Sequence, residues 1–378
     1  MHQTCKSKST QFDTFIQILY NTTDFKGVCI MIKRIIGLDV IRSFALVLVV
    51  AIHGITLSDL VGATFGTFLW IPTLFLRTIS LACVPLFIIL TGYLNKDKVL
   101  NKEYFSSLIG VLVPFYIIAV ICEILKLAVG DTSSIFKAIL HIFDFSANGY
   151  AWYIEMYIGL FIMIPFLNMF YKMLGGIRNK IIATSAIVVV TMLPAAFSSL
   201  GLSSFRLSFL PDYWEAMYPV GYYFLGMLVA DIKPQIKKVY NIIALVIWAA
   251  LLTAVCFILS HLSGQYAWWF ANGFGCIYNA VTAMLIFILF YDIDFKEGRL
   301  SAIISMVSLC SMEAYLFSYI TDKLLYNFLD LPMPLMTFLS LVMALICAYV
   351  LKKFTNPVVK ILKEKYILLV TKKIKEPQ

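Results

Sequence analysis

The sequence predicts an all-α fold, a polytopic bundle of about ten transmembrane helices with both termini in the cytoplasm. Of the 378 residues, 61% are hydrophobic and only 13% are charged, whereas a soluble domain averages about 45–50% apolar and about 25% charged residues. This composition excludes a soluble enzyme, a fibrous protein and a disordered chain. It indicates a protein whose main solvent is lipid.

Long apolar runs recur along the whole chain, and each is close to the length of a bilayer crossing, which takes about 20 apolar residues. Clusters of Gly, Pro, Asn and Lys separate them. The runs lie at 35–57, 69–94, 107–128, 151–170, 181–197, 214–231, 241–260, 269–291, 302–326 and 335–351. They leave no room for a large domain outside the membrane.

The distribution of Lys and Arg predicts the orientation of these helices. Most of the 30 basic residues fall before the first run, in alternate connections such as 95–102, 172–180 and 233–238, and after the last run. Basic residues are enriched in cytoplasmic loops, so we expect a multi-pass protein of the cell membrane whose basic connections and termini lie in the cytoplasm. The net charge of +9 then reflects topology and does not indicate a nucleic-acid partner.

Three segments are expected. Residues 1–30 form a poorly ordered N-terminal extension, unless translation begins at Met31; residues 31–354 form the transmembrane domain; and residues 355–378 form a basic amphipathic cytoplasmic tail. The tail suits an interfacial helix on anionic lipid and equally a solvated basic end.

No motif for a metal or a permanently bound cofactor is present. The eight cysteines are scattered without a C-x-x-C pair, and the chain has no H-E-x-x-H, P-loop or dinucleotide fingerprint. We therefore expect no metal site and no resident cofactor.

The first apolar run carries the ionisable residues most suited to chemistry. Asp39 and Arg42, at i and i+3, share a face and can form an ion pair. His53 follows Arg42 by eleven residues, about 16 Å along a helix and on nearly the same face. His141 and His261 are assigned to outer loops. Histidine suits proton transfer near neutral pH, although a purely structural histidine between helices explains the helix alone equally well.

Several motifs, in this order, resemble the integral membrane acyltransferase family called acyltransferase 3, over about residues 31–350. The R-x10-H pair of the first helix is the most characteristic of them. The matching stretches are Leu38–Arg42 with His53; Val84–Leu94, with Thr91 where serine is usual; Tyr104 to Phe115; Trp152–Leu160 with Pro165; and Tyr223–Met227.

The resemblance implies an O-acyltransferase that moves an acyl group, most often acetyl, from cytoplasmic acyl-CoA to a glycan hydroxyl at the outer side. Acetyl-CoA or another acyl-CoA would be a donor substrate, bound at Arg42. His53 would deprotonate the acceptor or carry the acyl group itself, and the sequence does not choose between these. The acceptor would be a lipid-linked sugar or an exopolysaccharide, unless a separate extracytoplasmic protein passes the acyl group on.

Two departures from the family pattern affect the other candidate residues. Many members carry a late-helix histidine where this chain has Ser318, and the arginine cluster near the third helix is reduced. Arg77 either binds a pyrophosphate or an acidic glycan, or is anchored by Glu155, Glu215 or Glu313. Glu123, Glu155 and Glu313 are expected to be buried and to orient His53, to pair with Arg77 or to remain protonated, with Glu155 and Glu313 favoured.

Two other function classes fit the composition. A transporter or flippase for a polysaccharide intermediate also needs about ten spans and a polar interior, but it has no need for a histidine in the first span. The other large family of membrane O-acyltransferases carries its histidine in a late apolar helix, where this sequence has none.

Overall fold

A computed structural model describes residues 35–200, 210–294 and 298–375. The expected N-terminal extension, 1–30, lies outside the described residues. Throughout the described part of the chain the secondary structure is helical, with no strand. The predicted all-α class is therefore confirmed.

The helices follow one another through short connections. In chain order they are α1 (Ile36–Leu57), α2 (Leu60–Ala63), α3 (Trp70–Ser80), α4 (Cys83–Asn95), α5 (Lys102–Ser107), α6 (Ile109–Val129), α7 (Ile135–Phe143), α8 (Trp152–Met173), α9 (Ile177–Ser199), α10 (Tyr218–Ile232), α11 (Lys238–Ser263), α12 (Ile277–Phe290), α13 (Arg299–Phe328) and α14 (Met333–Lys375). A short 3₁₀ helix, Asp212–Met217, precedes α10.

Each of the ten predicted apolar runs contains a helix, but they differ in length. Within the described ranges, eight segments are long and apolar enough to cross a membrane, with α3–α4 and α5–α6 each counted as one. The other two, α10 and α12, have 15 and 14 residues. At 1.5 Å per residue they extend over about 22 Å, short of a hydrocarbon core of about 30 Å.

The predicted basic tail continues the last span as a helix. The last span continues without interruption to Lys375, as a helix of 43 residues. Because apolar residues recur through the tail and only Pro357 interrupts the helix-forming sequence, nothing ends the helix at residue 354. The tail runs beside α5, where the Lys102 Nζ donates to Thr371 Oγ1 at 2.9 Å.

The connections that the sequence assigned to one side of the membrane meet at one end of the bundle. Asp231, at the end of α10, accepts hydrogen bonds from Lys96 at 2.6 Å and from Lys180 at 2.7 Å. Lys96, Lys180 and Asp231 lie in or beside three connections that the charge pattern predicted to be on the same side of the membrane. We call this the basic end of the bundle.

Close packing of α4 on α10 forms part of the core. A Cβ on Gly92 would lie 2.1 Å from the Tyr223 carbonyl oxygen, and one on Gly226 would lie 2.0 Å from the Ile89 carbonyl oxygen. Only glycine permits such backbone contact. Both glycines belong to the motifs that carry the family resemblance.

Candidate active site

His53 lies in the last turns of α1, at the end of the bundle opposite the basic end. Its side chain is 19% exposed, yet Nδ1 is buried and has no hydrogen-bond partner. The exposed part of the imidazole therefore lies away from Nδ1. The Tyr150 ring covers the imidazole, with ring centroids 3.7 Å apart and planes inclined by 31°.

A buried carboxylate from a distant part of the chain faces the imidazole. Asp322 Oδ2, on α13, lies 3.7 Å from His53 Nδ1, and the Asp322 side chain is 2% exposed. This separation suits an ion pair with an imidazolium and is longer than a hydrogen bond. Catalytic hydrogen bonds are often long before substrate binds and shorten in the productive complex.

Two hydroxyl groups hold this carboxylate in place. The Tyr150 hydroxyl donates to Asp322 Oδ2 at 2.9 Å, and the Ser340 hydroxyl donates to Oδ1 at 2.5 Å. Burial, followed by the charge of Asp322, raises the pKa of Tyr150 well above its ordinary value, so the phenol stays protonated and keeps donating. One carboxylate thus connects three helices and the loop before α8.

The predicted Asp39–Arg42 pair faces α13 near the basic end. Arg42 Nη1 lies 3.9 Å from Asp39 Oδ1 and donates to the Ser308 hydroxyl at 3.1 Å. Ser308 donates in turn to Asp39 Oδ1 at 2.6 Å, and Ser305 donates to Oδ2 at 3.0 Å. The network fixes Arg42 while its side chain remains 29% exposed.

A cavity of about 270 Å³ begins at Arg42 and extends along α1 towards His53. Val49, one turn before His53, lies in its wall. Apart from Arg42 and Ser311, the lining is apolar or aromatic. The lining residues are Arg42, Val49, Val84, Phe87, Val111, Tyr153, Ile154, Tyr157, Ser311, Met312 and Tyr315.

One aromatic layer separates this cavity from the imidazole. Tyr315, in the cavity wall, donates its hydroxyl hydrogen bond to the Tyr150 carbonyl oxygen, and the two rings are stacked with centroids 6.3 Å apart. Tyr150 then covers His53. Tyr315 and Tyr150 thus connect the cavity wall to the imidazole.

The predicted supporting glutamates lie elsewhere. Glu155 was expected to be buried and is instead exposed on α8, because its helix turns Ile154 into the core. Glu313 is buried, but it pairs with Lys352 Nζ at 2.9 Å on α14. Glu123 is held by Lys126, with Thr132 and His141 as further partners. None of the three is the carboxylate beside His53.

Arg77 is buried as well, with 8% exposure. It donates to Asn272 Oδ1 at 2.5 Å and lies over the Tyr266 ring, 5.6 Å from its centroid. Within the described ranges no carboxylate lies within ion-pair distance of it, so the predicted anchors Glu155, Glu215 and Glu313 do not hold it.

Sequence reasoning missed Asp322 and Tyr150, and it misplaced two histidines. An aspartate inside the apolar run 302–326 was the available signal, but only glutamates were predicted as partners that orient His53. Tyr150 carries no sequence signal that separates it from other interfacial aromatic residues. His141 and His261 lie in α7 and in the last turn of α11, not in loops.

No group of three or more His, Cys, Asp and Glu side chains suited to a metal ion occurs in the described part of the chain. No curated protein and no solved structure matches the chain. A family model described as an acyltransferase domain, acyltransferase 3, matches residues 35–353. The chain therefore belongs to the acyltransferase 3 family and is a membrane acyltransferase.

Proposed function

We propose that the protein transfers an acyl group, acetyl in the simplest case, from cytoplasmic acyl-CoA to a hydroxyl of a cell-surface or lipid-linked glycan. The observation that carries this proposal is the cavity along α1, with Arg42 at one end and the His53–Asp322 pair beyond the other. A guanidinium for the donor and a base for the acceptor thus lie at opposite ends of one apolar passage.

The features around Arg42 suit the donor. Coenzyme A carries several phosphate charges on one part of the molecule and a long uncharged arm on the other. A guanidinium binds two phosphate oxygens at once, and the lysines of the basic end raise the local concentration of an anionic donor. The apolar and aromatic cavity wall suits the uncharged arm and its acyl group.

His53 supplies the chemistry at the other end. In a direct transfer, the imidazole accepts the proton of the acceptor hydroxyl as its oxygen bonds to the thioester carbonyl carbon. The carbon–sulfur bond then breaks, and the imidazolium returns its proton to the departing thiolate. Asp322 stabilises the imidazolium while it is charged. In the two-step alternative, an imidazole nitrogen attacks the thioester carbonyl carbon, the carbon–sulfur bond breaks and the CoA thiolate leaves. The acceptor hydroxyl then attacks the acyl-imidazole, the carbon–nitrogen bond breaks, and the hydroxyl proton passes through the imidazole to the thiolate.

In both routes the aromatic layer of Tyr150 and Tyr315 opens. A closed layer keeps water from the thioester until the acceptor is bound, which limits wasteful hydrolysis. The acceptor approaches from the His53 end of the bundle, at the outer side of a bacterial cytoplasmic membrane. It is a lipid-linked sugar or nascent exopolysaccharide, or it receives the acyl group through a separate extracytoplasmic protein.

The proposal is tested with purified protein in liposomes that contain extracted membrane glycan, supplied with radiolabelled acetyl-CoA on the basic-end side. Label should appear in the glycan fraction. His53→Ala should abolish transfer, whereas His141→Ala, which removes a histidine at another site, should retain it. Transfer that persists in His53→Ala would refute the catalytic assignment.

The same experiment separates the enzyme from a flippase. A flippase would move the glycan across the bilayer without consuming the donor. Glycan translocation that is unaffected by omission of acetyl-CoA and by His53→Ala would replace the proposal with the transporter class.

A further inference from the structure

Arg77 is a charged group that has no carboxylate at ion-pair distance in the described chain. The exposed Asp59 carboxylate acts electrostatically on the neighbouring Tyr266. Arg77 lies in α3, about 10 Å from the start of that helix, and its side chain is 8% exposed. Its partners are neutral, the Asn272 amide oxygen and the Tyr266 ring. A charge inside a membrane protein is costly and persists where it is paired or functional.

Two buried hydrogen-bond donors without partners lie along the Arg77 face of α3, one of them beside the guanidinium. The Tyr266 hydroxyl is buried and has no partner, and the indole Nε1 of Trp70, two turns earlier on the Arg77 face of α3, is buried without a partner as well. Burial raises the pKa of Tyr266 to about 12, so its hydroxyl is protonated and can donate. Guanidinium and indole N–H groups can only donate. The donors of Arg77 and Tyr266 outnumber the acceptor that the described chain supplies to them, Asn272 Oδ1, so a further, negatively charged acceptor suits this site.

The site belongs to the His53 end of the bundle. The Trp70 face of α3 packs into one apolar cluster with Ile55, two residues beyond His53. Arg42, the proposed phosphate ligand for the donor, lies about 16 Å away from His53 along α1. A ligand of Arg77 therefore reaches the acceptor side of the reaction and not the donor side.

We propose that Arg77 binds an oxyanion, a carboxylate or a phosphate, carried by the glycan acceptor. This inference rests on the proposed function and narrows its substrate class to acidic or phosphorylated glycans. Asn272 is exposed, in the loop between α11 and α12, so it marks the side from which the ligand enters. The guanidinium faces this loop and α11 inside the protein. This position favours a glycan that enters from the aqueous side over the headgroup of a phospholipid in the bilayer.

The experiment measures ligand-induced stabilisation of the full chain in phosphatidylcholine nanodiscs. Trigalacturonate, which carries carboxylates, should raise Tm, and the matched neutral galactotriose should not. Arg77→Gln should weaken the apparent affinity for trigalacturonate about tenfold or more, since it removes a charge-assisted contact. His53→Ala should keep the stabilisation, because binding at Arg77 does not need the catalytic base.

A second variant covers the case in which Arg77→Gln fails to fold. Tyr266→Phe removes a buried hydroxyl that has no partner in the unliganded protein, so it should leave the basal Tm unchanged or higher. It should nevertheless weaken trigalacturonate binding about fivefold. Unchanged trigalacturonate binding in a folded Arg77→Gln variant would overturn the proposal, and so would unchanged binding in Tyr266→Phe when Arg77→Gln does not fold.

Other ligand sources give distinguishable results. Equal stabilisation by galactotriose, or stabilisation by inorganic phosphate alone with none by trigalacturonate and glucose 1-phosphate, would overturn the acceptor assignment. So would Arg77-dependent stabilisation that occurs only when phosphatidylglycerol is added to the nanodisc, because the site would then bind a lipid headgroup. Failure of the proposed function would appear separately, as acetyl transfer by His53→Ala.

Discussion

Asp322→Asn is the change that most directly tests the pairing of His53 with a buried carboxylate. The substitution keeps the shape of the side chain and an oxygen that can accept from Tyr150 or Ser340, but it removes the negative charge. Asp322 Oδ2 lies 3.7 Å from His53 Nδ1. At an effective dielectric constant of about 20, two unit charges at that separation attract each other by about 4.5 kcal/mol.

The expected loss of rate follows from how much charge the imidazole carries in the transition state. A half-developed imidazolium loses half of this attraction, about 2.25 kcal/mol, and a full one loses about 4.5 kcal/mol. These values correspond to a fall in kcat between about fifty-fold and about two thousand-fold. KM for acyl-CoA should stay unchanged, because Asp322 does not line the donor cavity.

The assay measures the initial rate of acetyl transfer and of CoA release in liposomes over a range of donor concentrations. Asp131→Asn is the matched control, since that carboxylate is exposed and lies 3.9 Å from Lys323; it should leave the rate unchanged. If Asp322→Asn retained kcat within about threefold of wild type while His53→Ala was inactive, Asp322 would be a structural residue only. A rise in KM with unchanged kcat would also contradict the reasoning.

Three further predictions concern the donor site, the core and the topology. Arg42→Lys should raise KM for acyl-CoA about tenfold in the same assay, because an ammonium cannot donate to two phosphate oxygens at once as a guanidinium does. If KM in Arg42→Lys equalled the wild-type value, Arg42 would serve only as the ion-pair partner of its neighbouring aspartate. Lys352→Met should lower Tm in detergent, because it strands the buried Glu313 carboxylate, and addition of Glu313→Leu should restore much of the loss; a double variant no more stable than the single one would exclude this explanation. In a cysteine-free active background and intact cells, K98C should resist an impermeant thiol reagent and K137C should react, and the reverse pattern would invert the proposed orientation.

Part of the active site could be predicted from local sequence. Arg42 and His53 lie in one helix, and helical geometry alone puts them on nearly the same face. The cavity that follows this face of α1 supports the same pairing. Asp322 could not be assigned in this way, because it comes 269 residues later and could have faced lipid, another helix or the imidazole. The depth of Asp322 in the membrane and the rotation of α13 about its axis decide which of these three it faces.

The same difference between local sequence and tertiary packing explains why the environments of the glutamates could not be predicted. Glu155 and Glu313 both lie in apolar runs, and composition gives no reason to separate them. A small difference in helix rotation exposes Glu155, and the packing of α14 against α13 supplies Lys352 to Glu313. Arg77 is a similar case, since its neutral partners come from a loop nearly two hundred residues away.

The sequence by itself determined the membrane class, the helical fold, the family motifs and the residues of α1, because hydropathy and helical periodicity are local properties of the chain. Only the tertiary structure decided which carboxylate faces His53, that Arg77 is buried with no carboxylate at ion-pair distance in the described chain, and that the basic tail continues the last helix. These outcomes depend on the depth and rotation of each helix. Contacts between distant helices, such as the approach of α4 and α10 at Gly92 and Gly226, set both of them.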